Sequence, residues 1–557
     1  MADKLHPIIK HAGREFADGK LDRREFLRVV TLLGIAAPVA FGMAGLSIPA
    51  KAQGTPKKGG TLRLGSRVQD LKSPHTYSWV EAANAGRQTL DYLTYTGIDN
   101  ITRPNLVEKW EASPDLKSWT LRLRKDVTWR KGNRKLTADD VAWNIKRVLD
   151  AKTGSSVVGL LRGFILDEFE TGEKDDKGVA KKSTRLWDAN AIERVDDFTV
   201  RLNGKTANLS IPEALFHYPF LIMDPEENGE FKVGSNGTGA FEMVELDVGK
   251  RAKFVARKSG HWGGGAHIDI FEIIDLGDDA AAQVAALASK QVDMIYQGAI
   301  TTYSTIERVP HVQINIVDTA YTAVARVHSI KPFDDKRVRQ ALAWALNRDE
   351  VTQVAFFGQA ETATEAIYDG NPYYSGINLY EGGPDPEGAM ALLAEAGVEG
   401  LSFVFDGQPQ VPTQVKAAQV LQQQLRAAGI TMDIQNYESG EWITRLLTKE
   451  YTATISYWSA TLDPAHFYLP GLLSTSGWNI SGFGSPEMDE ALNAFATEPD
   501  EATRKEAYRR VVEIVQEEAP IIAIDNQLQQ YWVRANVYGM TPLPTMEIRF
   551  EPVYIGE

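Results

Sequence analysis

The 557-residue sequence contains no cysteine. Disulfides, thiolate metal sites, cysteine nucleophiles and a lipid-attachment cysteine are therefore all excluded. Positive charge is in deficit: 74 Asp and Glu face 60 Lys and Arg, leaving a net charge of −14. That balance argues against a nucleic-acid partner. Histidine is scarce, at nine residues, and no His-Glu-x-x-His, Gly-x-Ser-x-Gly or Walker A pattern occurs. His261 and His267 flank a glycine-rich turn without further histidines beside them, so they read as turn residues rather than metal ligands. No catalytic residue, metal or cofactor is expected. The glycine-rich 234–239 lacks the Lys-Ser/Thr ending of a phosphate loop and leads into an alternating, strand-like 241–246. Beyond residue 52, no stretch is long and apolar enough to span a bilayer.

The first 52 residues have the layout of a secretory signal. Arg23-Arg24 precede an apolar, small-residue run over 29–46, and Ala50-Lys51-Ala52 stand before Gln53. Twin arginines followed by Phe26-Leu27 resemble the Tat export signal, although Asp22 and Arg28 depart from its usual Ser/Thr and Lys. Gly34, Pro38, Gly42 and Gly45 make the run a poor spanning helix, the alternative being an uncleaved anchor. The expectation is a cleaved signal, 1–52, lying outside the fold, and a soluble, exported mature chain.

The length is too great for one core and predicts two or three domains. Residues 61–66 and 118–124 alternate as strands, and 127–130 continues the second after a break. Thr137-Ala-Asp-Asp140 opens a helix, with a capping hydroxyl and two carboxylates in the positive first turn. Residues 172–182 read as an exposed charged loop. Val338, Leu342, Ala345 and Leu346 form the apolar face of another helix, with Arg337 and Arg339 assigned to its solvated side. Further on, 401–405, 413–428 and 430–434 make a strand, helix and strand, the unit of a parallel sheet.

The order Trp110, then Trp119-Thr-Leu-Arg-Leu-Arg-Lys-Asp-Val-Thr-Trp129, then Leu136-Thr-Ala-Asp-Asp-Val-Ala-Trp-Asn144 resembles the signature of family 5 extracellular solute-binding proteins. Gly237-Thr-Gly-Ala-Phe241 and Phe333-Asp-Asp-Lys-Arg-Val-Arg-Gln-Ala-Leu-Ala-Trp-Ala-Leu-Asn347 extend the likeness along nearly the whole mature chain. The family's usual His-Asp-Gly is replaced by Arg130-Lys131-Gly132, within a turn. The resemblance implies an α/β, two-lobed periplasmic-binding-protein fold (type II, cluster C) with an extra subdomain inserted in the first lobe. On that basis lobe I comprises 53–92, 215–318 and 525–557, the subdomain 93–214, and lobe II 319–524. It also implies a monomeric periplasmic receptor. Such a receptor captures a small solute between its lobes and passes it to an ABC permease in the inner membrane.

The stretch 456–484 carries the candidate site. After an alternating run it breaks into Pro, Gly, Ser and Asn interleaved with Trp458, Phe467, Tyr468, Trp478 and Phe483. Rings on an irregular loop at a strand end either plug the core or wall a ligand. The family context favours the ligand wall for Tyr457, Trp458, Thr461, Trp478 and Asn479, with Tyr77, Trp442 and Asp463 as further contacts. Tyr77 belongs to a loop with Trp79, and both rings look exposed there. Peptide-binding members carry an aspartate three residues after the matching tryptophan, where it pairs with the ligand's α-ammonium. Thr461 holds that position here, and Asp463, next to Pro464, either replaces the anchor or caps a helix from 465. A peptide or peptide-like solute is the leading ligand class, with an opine or oligosaccharide as the alternative. An exported hydrolase using cleft carboxylates, or a chaperone for extended peptides, are the competing functions.

Overall fold

The computed structural model describes residues 7–17, 21, 23–33, 35, 57–77, 80–99, 101–155, 161, 164–174, 180–258, 261–277, 279–409, 411–458, 463–474, 476, 479–498, 500–543 and 545–556. Two compact units divide the chain: Met1–Asn315 with Gln530–Glu557, and Ile316–Gln529. The backbone enters the second unit inside the strand Val312–Val327 and leaves it inside Ile521–Arg534.

In the first unit Thr61–Gly65 runs parallel to Ile270–Ile274 and to Met294–Ile295. Arg251–Ala256 and then Phe241–Asp247 extend the sheet antiparallel, while Met294 pairs with Val533 on the other side. Leu62 and Leu64, spaced by two, are both buried, as strand alternation requires. A separate antiparallel sheet orders Val107–Ala112, Ser118–Leu123, Thr199–Asn203 and Ile192–Asp196. Trp119, Leu121 and Leu123 are buried from it. The helix Ala138–Leu149 opens as expected and buries Val141, Ile145, Val148 and Leu149, and the Asp140 carboxylate accepts the Thr137 backbone N–H at 2.9 Å.

Two expectations change here. Residues 127–130 make only an isolated bridge, Thr128 to Lys135. The charged loop is instead a hairpin, Leu166–Lys174 with Ala180–Leu186. Helix Arg23–Leu32, in the segment read as an export signal, packs against the unit. Phe26, Leu27, Val29 and Val30 are buried, and buried Arg28 bonds Glu25 at 2.9 Å and lies 3.6 Å from Glu213. The Trp110 indole donates to the Leu32 carbonyl at 2.7 Å. An apolar stripe suited to an export signal suits an apolar groove equally well. Among the described residues no helix is long and apolar enough to cross a membrane.

The glycine-rich 234–239 has a packing reason. A Cβ on Gly237 would lie 1.9 Å from the Thr89 carbonyl oxygen, and that oxygen accepts the Gly239 N–H at 2.9 Å. Only glycine permits this backbone approach.

In the second unit Ala453–Trp458 pairs antiparallel with Val312–Val327 and parallel with Ser402–Gly407. Ser402–Gly407 in turn runs parallel to Thr431–Asn436 through the helix Pro412–Ala427, giving the strand–helix–strand unit expected. Ile521–Arg534 borders Val312–Val327 on its other edge. Helices Ala465–Leu472, Pro486–Thr497 and Glu501–Glu518 close a core that includes Trp458, Tyr468, Leu492, Phe495 and Tyr508. In Lys336–Ala345 the apolar face is as predicted, but Arg339 is not solvated: it is 2% exposed. Its guanidinium donates to the Phe333 carbonyl at 2.7 Å and the Glu518 carbonyl at 2.6 Å, which satisfies a buried cation in place of water.

Candidate functional site

The site is built on one strand pair of the second unit. Trp458 stands opposite Thr322, Ser456 opposite Val324, and Thr454 opposite Arg326. Side chains alternate along strands, so these six share one face, while Tyr321, Ala323, Ile455 and Tyr457 share the other.

On the first face Trp458 is 4% exposed, set edge-on to Phe467 and Tyr468 at 5.2 and 5.0 Å. The Arg326 guanidinium lies 5.1 Å from the Trp458 ring centroid, and its Nε donates to Ser456 Oγ. Arg326 is buried, its Nη1 finds no acceptor, and it joins no ion pair among the described residues. Burial pushes its pKa down to about 10.

Asp463 is also buried. One oxygen accepts the N–H of Ala465, the first residue of the helix Ala465–Leu472, at 3.0 Å, and the other pairs with the buried Arg504 guanidinium at 2.8 Å. Asn479 fastens the loop after that helix by donating to the carbonyls of Leu472, Leu473 and Phe483 at 3.1, 3.3 and 2.6 Å. Trp442 donates its indole N–H to Thr454 Oγ1 at 3.0 Å and packs with Leu446, Tyr451 and Ile480. Tyr77 belongs to the first unit, where it is buried rather than exposed as expected. Thr461 and Trp478 lie outside the described residues, as does Trp79.

On the second face the Tyr457 ring stacks on Tyr321 at 4.5 Å and 16°. Its buried hydroxyl faces the polar side chains of Thr413, Gln414 and Gln527. Burial, then the neighbouring Asp525 charge, raise its pKa. Asp525 itself is fully buried, with both carboxylate oxygens unpartnered, and burial alone holds its pKa well above the usual range.

Glu365 is a third buried acid. It accepts the N–H groups of Ser375 and Gly376, each at 2.9 Å, and the hydroxyls of Ser375 and Tyr508 at 3.0 and 3.1 Å. Burial nonetheless raises it to about 7. The cavity beside it, lined by Arg348, Glu365, Tyr380 and Gln516, has a volume near 10 Å³, space for about one water.

Arg326, Glu365 and Asp525 escaped the sequence reading. Asp525 ends the apolar run Ile521-Ile-Ala-Ile and Arg326 interrupts Ala323-Val-Ala, and such an interruption is a signal that marks a buried charge; Glu365, between Thr364 and Ala366, carries no such signal.

Residues 102–480 match the middle region of the bacterial extracellular solute-binding proteins of family 5. The dipeptide-binding protein of Escherichia coli K12 is 27% identical over 483 residues, covering 81% of this chain and 86% of that protein. Among solved structures, DppA from Helicobacter pylori in complex with the peptide STSA aligns with a TM-score of 0.74. It is 21% identical and covers 90% of this chain and 99% of that one. AgaA from A. tumefaciens R10 in complex with agropinic acid aligns with a TM-score of 0.74 at 22% identity, covering 89% and 99%. The family match over most of the chain, on the two-unit α/β fold those structures share, makes this protein a member of the family 5 bacterial extracellular solute-binding proteins, a binder rather than an enzyme.

Proposed function

We propose that this protein is the exported receptor of an ABC importer, capturing a peptide or peptide-like solute and delivering it to a permease in the inner membrane. The observation that carries the reading is the likeness to a dipeptide-binding protein over four-fifths of both chains. An oligopeptide-binding relative from Haemophilus influenzae covers 91% of this chain, which supports the same class. The twin-arginine segment is read as a Tat-like signal cleaved after Ala52, and the mature protein as a monomeric periplasmic receptor. The six-part division given above is proposed with this reading. Tyr457, Trp458, Thr461, Trp478 and Asn479 are its ligand-contacting positions, with Tyr77, Trp442 and Asp463 as further contacts.

A thermal-shift screen of the full chain, with mass spectrometry of whatever co-purifies, tests it. A solute that binds only the native state raises the melting temperature. Short peptides that do so and are recovered unchanged support the proposal. A shift from opines or oligosaccharides alone moves the substrate class. Chemical alteration of the bound solute sinks the receptor reading.

A further inference from the structure

The four donors on the Glu365 carboxylate divide unequally between its oxygens. Oε1 takes the N–H groups of Ser375 and Gly376 and the Ser375 hydroxyl, whereas Oε2 meets only the Tyr508 hydroxyl. A chain of hydroxyls continues from there. Tyr508 Oη lies 3.3 Å from Tyr468 Oη, and the Ala366 N–H donates to Tyr468 Oη at 3.2 Å. Both phenols are fully buried, and Tyr468 has no further hydrogen-bond partner among the described residues.

Each phenol has a single hydrogen to give. With Glu365 ionised, every hydrogen finds an acceptor: Ala366 N–H donates to Tyr468, Tyr468 to Tyr508, and Tyr508 to Glu365 Oε2. A proton taken up by Glu365 goes to Oε2, because Oε1 already accepts from three donors. It then points at Tyr508 Oη, so Tyr508 must turn its own hydrogen to Tyr468. The Tyr468 hydrogen is left without an acceptor, a costly state inside a core.

No other charge overrides this exchange. Arg348, from the helix Arg348–Ala355, lines the cavity beside Glu365, but its Nε donates to the Ala523 carbonyl and its guanidinium stands over the Tyr380 ring. Arg504, on the same helix as Tyr508, is held by Asp463 and the Tyr373 hydroxyl. Burial keeps the Glu365 proton in place up to about 7 and pushes both phenols above their usual range, so Glu365 is the member of the chain that titrates near neutrality. At the far end, Tyr468 belongs to the helix Ala465–Leu472 and stands edge-on to Trp458 at 5.0 Å.

We infer that Glu365, Tyr508 and Tyr468 form a proton-sensing relay, in which a proton gained by Glu365 reverses the hydroxyl chain and frees Tyr468 from its fixed place behind Trp458. The relay belongs to the packing of the second unit and stands apart from the receptor reading.

Hydrogen exchange of the full chain, read by mass spectrometry at Ala366 and across 465–472 and corrected for intrinsic rates, tests it. Wild type should show about fivefold less protection at about pH 5.5 than at about pH 8.5, the worth of one ordinary hydrogen bond. Global unfolding becomes easier in the opposite direction over this range, so an acid-side loss at these amides is not its by-product. Glu365→Gln fixes the reversed chain and should show the low protection at both pH values. Tyr508→Phe cuts the chain and should abolish the step while Glu365 still titrates. Equal protection of wild type at the two pH values overturns the inference. So does a pH step that survives Tyr508→Phe, since a merely structural Tyr508 would lower protection without removing the step. If Glu365→Gln does not fold, Tyr468→Phe takes its place: without the hydroxyl there is no hydrogen to orphan, and a persisting step again overturns the relay.

Discussion

Glu365 offers a stability measurement with a definite sign. In the unfolded chain its carboxyl titrates near 4.5, and in the folded protein burial holds it protonated up to about 7. Between those values the native state keeps a proton that the unfolded state has lost. Stability supplied by this group is therefore complete below the lower value and is lost as pH rises through the upper one. The interval corresponds to about 3 kcal/mol. Glu365→Gln removes the titration and retains the shape. The amide oxygen can still accept from Ser375 and Gly376, and the amide nitrogen can donate to Tyr508 in place of accepting from it. Urea unfolding of both proteins at about pH 4 and about pH 8 should show wild type losing about 3 kcal/mol relative to the variant. Glu547, buried and raised in the same direction, is common to both proteins and cancels in the comparison. A gap between wild type and variant that stays constant with pH, or moves the other way, refutes the reasoning.

Trp458→Ala should cost about 3–5 kcal/mol in denaturant titration, since it empties a core lined by Phe467, Tyr468 and the Arg326 guanidinium. Arg504→Met leaves Asp463 buried without its counter-ion and should cost about 3–5 kcal/mol; adding Asp463→Asn should restore part of that in a double-mutant cycle. Gly237→Ala drives a methyl group into the Thr89 carbonyl, and a loss of about 3 kcal/mol in the melting of the first unit is expected.

Periodicity carried most of the fold. The strand at Thr61–Gly65, the capped helix Ala138–Leu149 and the parallel pair joined by Pro412–Ala427 follow from spacing, caps and glycine stops, which act within one turn or strand. What spacing does not carry is the identity of a distant partner. Arg339 reads as solvated because its neighbours in sequence are polar, yet its acceptors come from Phe333 and from Glu518. The hairpin at Leu166–Lys174 was hidden for a related reason: its charged strands bury little, so no hydrophobic alternation announces them. At the site, the aromatic-rich segment was visible, whereas Asp525 was not. A lone acid gains meaning only when the structure shows that nothing answers it.

The first unit begins near one end of the chain and is completed by residues from the other. Trp532 fills its interior beside Leu287 and Ile295, Phe550 stacks on Phe271 at 4.3 Å, and Asn84 bonds the Met546 carbonyl at 3.1 Å and the Ile548 N–H at 3.0 Å. These pieces are made after every residue of the second unit, so the first unit cannot close until they have been added. The growing chain thus carries a first unit that stays open, its Trp532 socket unfilled, until the segment after the second unit arrives. Any export machinery that accepts only finished folds would have to act after that segment is made.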